Sequence, residues 1–583
     1  MGIIEELQSQ IVAQNPTAEQ QDAIFSGDLE FLLRAAPGSG KTWTSCRRFI
    51  WRGANWPYKV GGIALLSFTN TAIHEFYRAT HEVGMQKLLS DPNYLGTFDA
   101  FLERFLFSTF GHLIEKSTKR PKLFVAARPG DWANQKLQAW TTLGSGQNIP
   151  VPAWEIVPFV DKEDVKFRAS IKSGGKALDG ASAVKELLRT GRYTHAQRGY
   201  WACMLLSTRP HLAKILARRF PEIIVDEAQD TNKWLLLILE ILREAGSKIT
   251  LIGDPDQCIF EFSMADPESL FVLREKWGIS EKPLSKSFRC SNRIADAVRN
   301  IGTNAMFTGR GEDSGTSRKA YVVRETSKVF NRSIAEFQKL LPLCDLDKDR
   351  SAILCRGHGQ LESIRGESIY AELRGQTQDL ARAAFFRDFH HDYKYAFKTV
   401  ESVVRKLSKK DDLWKLIDEQ PDCERSRIAR IAIWRFVKYP SGLPSIGLSA
   451  EDWIEQLKTN LSVLLVDIGI DEKPKLGLQI KKTGLEADQF EMPLFTPEPL
   501  FPTIRQETIH KVKGESLDAV LLLGTDKFFN DIVNSIVTNT NTEDRRLAYV
   551  GMTRARSLLV VGLPSKHYDK HIDKWKQWGF EAL

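Results

Sequence analysis

Cysteine is scarce in this chain and carries no pattern. Seven are scattered over 583 residues (Cys46, Cys203, Cys258, Cys290, Cys344, Cys355 and Cys423), with no C-x-x-C pair. That argues against a disulfide framework, a structural zinc site and an iron–sulfur cluster, and for a reducing, cytoplasmic setting. No apolar run is long enough to span a bilayer, and the acidic, polar start MGIIEELQSQ does not read as a secretory signal. Gly2 follows Met1, but Glu6 stands where a myristoylation signal carries Ser or Thr. Histidine offers no metal cluster: His390 and His391 are adjacent and so point to different sides of a helix, and His358 lies at no helical spacing from them. Neither sign of charge dominates, since 81 Lys and Arg against 73 Asp and Glu give +8, which permits a nucleic-acid partner without requiring one. What is present is a globular composition, 42% hydrophobic and 26% charged, in a chain too long for one core. Its 14 Trp and 32 Phe include rings that could stack on bases, although most belong to cores.

The segment FLLRAAPGSGKTWTS (31–45) reads as a strand, a Gly-rich loop and a helix. Small residues over Pro37-Gly38-Ser39-Gly40 let backbone N–H groups close on phosphates, Lys41 reaches the β- and γ-phosphates, and the Thr42 hydroxyl suits Mg²⁺. The strict motif has Gly where this chain has Ala35. A second strand-like run, Ile223-Ile224-Val225, leads into Asp226-Glu227. Paired carboxylates at a strand tip suit phosphate chemistry, one holding Mg²⁺ and the other orienting water. The run LIGDPDQCIF (251–260) is another apolar strand ending in a polar turn that offers Gln257. Arg289 and Arg554 sit in later loops, and two positive charges brought from another domain would make hydrolysis depend on closure.

In this order the segments resemble the UvrD/Rep/PcrA family of superfamily 1 helicases, across somewhat over half the chain. The segment NPTAEQQDAI (15–24) matches the adenine-reading motif, with Gln20 in that role. LLSFTNTAIHEFYRA (65–79) is similar to the family's strand-gripping segment, giving Ser67, Phe68, Thr69 and Asn70 as DNA contacts. GTFDAFLERF (96–105) resembles the next one, with Thr97 and Phe98, and has Asp99 where the family usually has His. DEAQD implies Asp226 on Mg²⁺ and Glu227 as catalytic base, and GDPDQCIF implies Gln257 as a coupling residue. SFRCS implies Phe288 on the adenine and Arg289 on the γ-phosphate. TIHKVKGES (508–516) resembles the motif linking DNA to ATP, with His510, Lys513 and Gly514, and RRLAYVGMTRAR implies Arg554 as arginine finger. Phe262 stands where the family often has Trp, leaving a ring for a base, while Ser263 loses the following Arg. The usual K-G-L-E-F reads Lys513-Gly514-Glu515-Ser516-Leu517 here, with the acid displaced by one.

The resemblance implies an α/β fold of two RecA-like P-loop cores, each interrupted by a mainly helical insert. The motifs divide the chain at 1–105 and 205–280 for the first core, with an insert at 106–204, and at 281–370 and 500–583 for the second core, with a reduced insert at 371–499. The run ARAAFFRDFHHDYKYAFKTVESVVRKL (381–407) carries helical periodicity throughout. About 27 residues follow Arg556, too few for a fused nuclease domain. The expected activity is ATP- and Mg²⁺-dependent 3′–5′ translocation on single-stranded DNA and unwinding of tailed duplexes. The alternative is a DNA-sensing ATPase subunit beside a nuclease partner protein, as in the compact UvrD-like proteins of Gabija-type anti-phage systems.

Overall fold

In the computed structural model, the described residues are 3–68, 70–116, 120–124, 138–142, 148–161, 164–169, 176–177, 180–259, 267–311, 319–326, 330–364, 375–388, 391–408, 412–420, 423–445, 448, 450–470, 476, 480 and 504–583. Two six-stranded, wholly parallel sheets organise them. The first contains β1 (Phe31–Ala35), β2 (Ile63–Ser67), β3 (Tyr94–Thr97), β4 (Glu222–Val225), β5 (Lys248–Gly253) and β6 (Ser280–Leu284), in the order β6-β1-β5-β4-β2-β3. The second contains β7 (Ala320–Glu325), β8 (Ser351–Cys355), β9 (Arg505–Thr508), β10 (Leu517–Leu523), β11 (Ala555–Pro564) and β12 (Glu581–Ala582), in the order β9-β8-β10-β11-β7-β12.

The central strands are largely apolar because helices cover both faces, leaving no polar side to alternate with, whereas the edge strands β6 (SEKPL) and β9 (RQET) are polar. Strand β2 is buried at every position, as are β4 and β8. Residues from opposite faces of the first sheet enter different apolar clusters: Leu32, Ala64 and Leu66 join one, while Leu33, Ile63 and Leu65 join another. In a parallel sheet of this kind the polar loops at the carboxyl ends of the strands form the ligand crevice.

The two inserts are built differently. The first was expected to be mainly helical, but it carries a five-stranded antiparallel sheet formed by Gln138–Thr142, Asn148–Pro152, Ile156–Asp161, Asp164–Ala169 and Lys176–Ala177. The strand DVKFRA alternates polar and apolar residues, whereas IVPFVD is an apolar run whose first four positions alternate between buried and half-buried. This insert shares one apolar cluster with the first parallel sheet, in which Val151, Ile156 and Val184 join Leu66 and Val225. The second insert is helical among its described residues and has a core of its own, running from Leu380 to Ile480. Its long periodic run is two helices, Gln376–Asp388 and Tyr393–Leu407. The chain turns through a left-handed His391 (φ 51°), and the Asp392 side chain caps the new helix by accepting from the Tyr395 N–H at 2.9 Å.

Candidate functional site

The crevice forms where the loops after β1, β4 and β5 meet segments that pack on the second sheet. Ala35 is the last residue of β1, buried and extended, so the strand needs no glycine there. The turn comes at Gly38 and Gly40, with φ of 71° and 80°. A Cβ at Gly38 would lie 2.6 Å from Arg289 Cβ, and one at Gly40 would lie 2.9 Å from Gln20 Nε2. Glycine is therefore required by backbone conformation and by close approach alike. The helix Lys41–Ala54 starts immediately after, so its unpaired N–H groups and positive end face the loop.

Gln20 is fixed by three hydrogen bonds. Its backbone N–H donates to Thr17 Oγ1 (3.2 Å), its Oε1 accepts from the Thr17 N–H (2.9 Å), and its Nε2 donates to the Ser39 carbonyl (3.0 Å). The capping box that starts the helix Ala18–Phe25 thus also ties that helix to the phosphate loop.

Lys41 Nζ lies 3.2 Å from Glu227 Oε2. Burial alone would lower the lysine, but Glu227, Asp254 and Asp226 hold it above its ordinary value. Asp226 follows β4 and extends the ladder, its N–H donating to the Leu66 carbonyl at 2.8 Å. It is fully buried, and neither carboxylate oxygen makes a full hydrogen bond. Burial, then the charge of Glu227, push it well above the carboxylate range, while Lys41 and the neighbouring Thr42 hydroxyl pull it back. Glu227 is turned by a left-handed backbone (φ 54°) and accepts from Gln229 Nε2 at 2.5 Å. Burial raises it, but Lys41 and Lys513 outweigh that and keep it ionised. Strain of this kind in a non-glycine residue is tolerated where the surroundings fix it, and it aims the carboxylate into the crevice.

These residues fit a hard divalent cation. Asp226 brings two unsatisfied buried oxygens next to a hydroxyl, the oxygen donor set that Mg²⁺ takes. A cation there would also relieve the repulsion between Asp226 and Glu227.

The opposite wall is positive. The Phe288 N–H donates to the Gly38 carbonyl and Ser287 Oγ to the Pro37 carbonyl, each at 2.8 Å, holding the segment against the phosphate loop. Arg289 is half-buried, donates from Nε to Ser516 Oγ (2.7 Å) and from Nη1 to the Thr553 carbonyl (3.2 Å), and pairs with no carboxylate among the described residues. Arg554 is buried; burial, then repulsion from Arg289, bring it down to about 9. Its Nη2 donates to Gln257 Oε1 at 3.2 Å, and Gln257 Nε2 donates to Asp254 at 2.6 Å. Phe288 is exposed, with Lys286 Nζ 5.7 Å from its ring centroid.

The expected strand-contacting residues fare less uniformly. Ser67 is fully buried at the end of β2, and Phe98 is buried against Phe101 in the core, so neither offers a free surface for a base. Thr97 caps the helix Phe98–Leu102 by accepting from the Ala100 N–H, which turns Phe98 inward. Phe68 is half-buried, its ring 6.2 Å from that of Phe98. Thr69 and Phe262 lie outside the described residues, as does the side chain of Asn70, which opens the helix Asn70–Glu82. His510 Nε2 is 3.1 Å from the Ile259 carbonyl. Asp99 pairs with Arg198 of the first insert at 2.6 Å.

Two further contacts span the crevice. Lys513 Nζ lies 2.7 Å from both carboxylate oxygens of Asp230. Arg546 donates to the Cys258 carbonyl at 2.6 Å. Sequence reading did not single out Asp254, although a buried-strand run ending Gly-Asp-Pro-Asp signals it, nor Ser516, which no local pattern marks.

The family models for the UvrD/REP helicase N-terminal domain and the UvrD-like helicase C-terminal domain match residues 16–140 with 181–277, and 360–566, together well over half the chain. The chain belongs to the UvrD/REP helicase family. It is similar to the ATP-dependent DNA helicase Rep of Buchnera aphidicola subsp. Schizaphis graminum, 22% identical over 93% of this chain and 92% of the relative. It is also similar to DNA helicase II of Escherichia coli (strain K12), 24% identical over 49% of this chain and 40% of the relative. As a UvrD-like member the chain is a DNA-dependent ATPase and helicase. No described helix is long and apolar enough to cross a membrane.

Proposed function

We propose that this UvrD/REP-type chain hydrolyses ATP in the crevice between two RecA-like cores and thereby moves 3′ to 5′ along single-stranded DNA. The observation that carries the reading is the convergence of Lys41, Asp226 and Glu227, from the first sheet, with Arg289 and Arg554, which bear no carboxylate partner among the described residues. Cations left uncompensated in a closed crevice are costly until an anion arrives, and a triphosphate supplies that anion.

In this reading the N–H groups around Gly38, Ser39 and Gly40 cradle the phosphates, and Lys41 leaves Glu227 for the β- and γ-oxygens. Phe288 stacks on the adenine and Gln20 reads its edge. Thr42 and Asp226 would hold Mg²⁺, which supplies Lewis-acid charge to the phosphate oxygens. Glu227, released from Lys41, accepts the proton of the attacking water. Arg289 and Arg554 neutralise charge developing on the γ-phosphoryl group, and Gln257 passes its loss to the DNA-facing segments. Phe68, Thr97 and His510, with Thr69, Asn70 and Phe262, contact the strand. The division at 105, 205, 280, 370 and 500 goes with this reading.

Hydrolysis measured with and without single-stranded DNA, beside strand displacement on 3′- and 5′-tailed duplexes, tests it. Lys41→Ala and Glu227→Gln should abolish stimulated hydrolysis, and only 3′-tailed duplexes should be unwound. Stimulated hydrolysis by either variant overturns the site. Stimulated hydrolysis with no displacement by the wild-type chain points instead to an ATPase subunit that needs a partner.

A further inference from the structure

Between the phosphate loop and the second sheet, Arg289 is held by neutral groups only among the described residues. Nε donates to Ser516 Oγ at 2.7 Å and Nη1 to the Thr553 carbonyl at 3.2 Å, leaving Nη2 outside these bonds. Behind the guanidinium, Arg289 Cβ occupies the space that a Cβ on Gly38 would need. The base of the side chain is therefore pinned over the phosphate loop, and Ser516 is the side-chain anchor that sets the direction of its far end.

The residue before it makes the point sharper. Glu515 could have neutralised this arginine, but Arg505 engages its carboxylate with two bonds, at 2.7 and 3.0 Å. The Glu515 carbonyl accepts from Arg554 at 3.4 Å, so the same short turn touches both arginines without bringing a negative charge to either. A hydroxyl orients a guanidinium while leaving its full charge available.

We infer that Ser516 is a positioning residue: it aims Arg289 at the phosphate loop without neutralising it. The inference rests on the reading that Arg289 acts on the γ-phosphoryl group. Ser516 touches no reacting atom and acts through Arg289, so its removal should affect turnover more than nucleotide binding.

The test is a double-mutant cycle on the full chain, with DNA-stimulated ATP hydrolysis as readout. Ser516→Ala should lower kcat about tenfold, the scale of one charge-assisted hydrogen bond, with KM for ATP changed less than about twofold. Ser516→Thr, which keeps the hydroxyl, should restore the rate. In an Arg289→Ala background, Ser516→Ala should cost nothing further. An equal loss in both backgrounds, an unchanged kcat in Ser516→Ala, or a Ser516→Thr protein as slow as Ser516→Ala overturns the assignment. Arg289→Ala hydrolysing at the wild-type rate removes the role of Arg289 itself. That failure is separable, because Lys41→Ala would still abolish hydrolysis.

Discussion

Arg554 reaches from the segment after the helix Glu543–Met552 to Gln257 of the first sheet, its Nη2 donating to Oε1 at 3.2 Å across 297 residues of sequence. Gln257 in turn donates to Asp254 at 2.6 Å, so a polar chain links a buried carboxylate near Lys41 to the arginine on the far wall. Removing Gln257 takes away one hydrogen bond of Arg554 and breaks the link. Gln257→Ala should lower DNA-stimulated kcat about tenfold, as expected for loss of one hydrogen bond to a charged group. Basal hydrolysis without DNA should change less. Steady-state assays with and without single-stranded DNA check this, and equal effects on both rates count against a coupling role.

Arg554 itself should show opposite effects on activity and stability. It is buried, its partners are neutral (the Val550 carbonyl at 3.0 Å and Gln257), and burial brings it down to about 9. A charge held in this way opposes folding at neutral pH, when no anion is present. Arg554→Met keeps the volume and removes the charge. It should lower kcat by about a thousandfold, as for other arginines that act on a transferring phosphoryl group, while the nucleotide-free protein melts at or above the wild-type temperature. A clear drop in melting temperature would mean that the arginine is a structural strut.

The pair Lys513–Asp230 spans the crevice with both side chains nearly buried, at 12% and 8% exposure. Burial still raises Asp230 above the ordinary carboxylate value despite Lys513, so desolvation outweighs the attraction. Lys513→Met strands the buried charge of Asp230 and should cost about 3 kcal/mol. The double variant Lys513→Met with Asp230→Leu should recover most of that stability. It should not recover DNA stimulation, because the link between the turn after β4 and the segment after β9 is gone. Urea unfolding and stimulated hydrolysis measured on the same three proteins decide it.

Much of this site is legible in the sequence because its chemistry is local. Pro37 to Thr42 and Asp226-Glu227 each follow a short apolar strand, and the strand tips fix where their side chains go. What was not legible depends on distant partners. Nothing near Phe98 distinguishes a ring that stacks on a base from one that faces the core; Thr97 capping the next helix and Phe101 packing against the ring decide it. The antiparallel sheet of the first insert was hidden because strands of two to six residues are too short to carry much periodicity. Ser516 is recognisable only once Arg289, 227 residues away, is seen against it.

Gly38 tests the close approach of the two walls. Its φ of 71° already disfavours any side chain, and an added Cβ would meet the rigid Cβ of Arg289 at 2.6 Å. At Gly40 the obstacle is the movable end of Gln20. Gly38→Ala should therefore be the more damaging, lowering stimulated hydrolysis by at least about a hundredfold through strain and displacement of Arg289. Gly40→Ala pays the backbone strain but can shift Gln20, and should retain more activity. The reverse order of activities would show that the walls do not meet at Gly38.

His567 gives the fold a pH dependence outside the crevice. Its Nε2 accepts from Trp575 Nε1 at 3.1 Å, so the ring proton sits on Nδ1, 2.8 Å from Asn530 Oδ1. The ring is 1% exposed; burial, then His571 and Lys570, bring it down to about 3 from an ordinary 6.5. The unfolded chain therefore takes up a proton as pH falls through 6.5 while the folded chain does not. The stability contributed by the neutral ring is complete above pH 6.5 and is lost progressively from there toward pH 3. The slope from one such residue is at most about 1.4 kcal/mol per pH unit. Urea midpoints between pH 7.5 and 5.5 should fall in the wild-type chain and fall less steeply in His567→Gln. Identical slopes in the two proteins would show that protonation of His567 does not oppose folding.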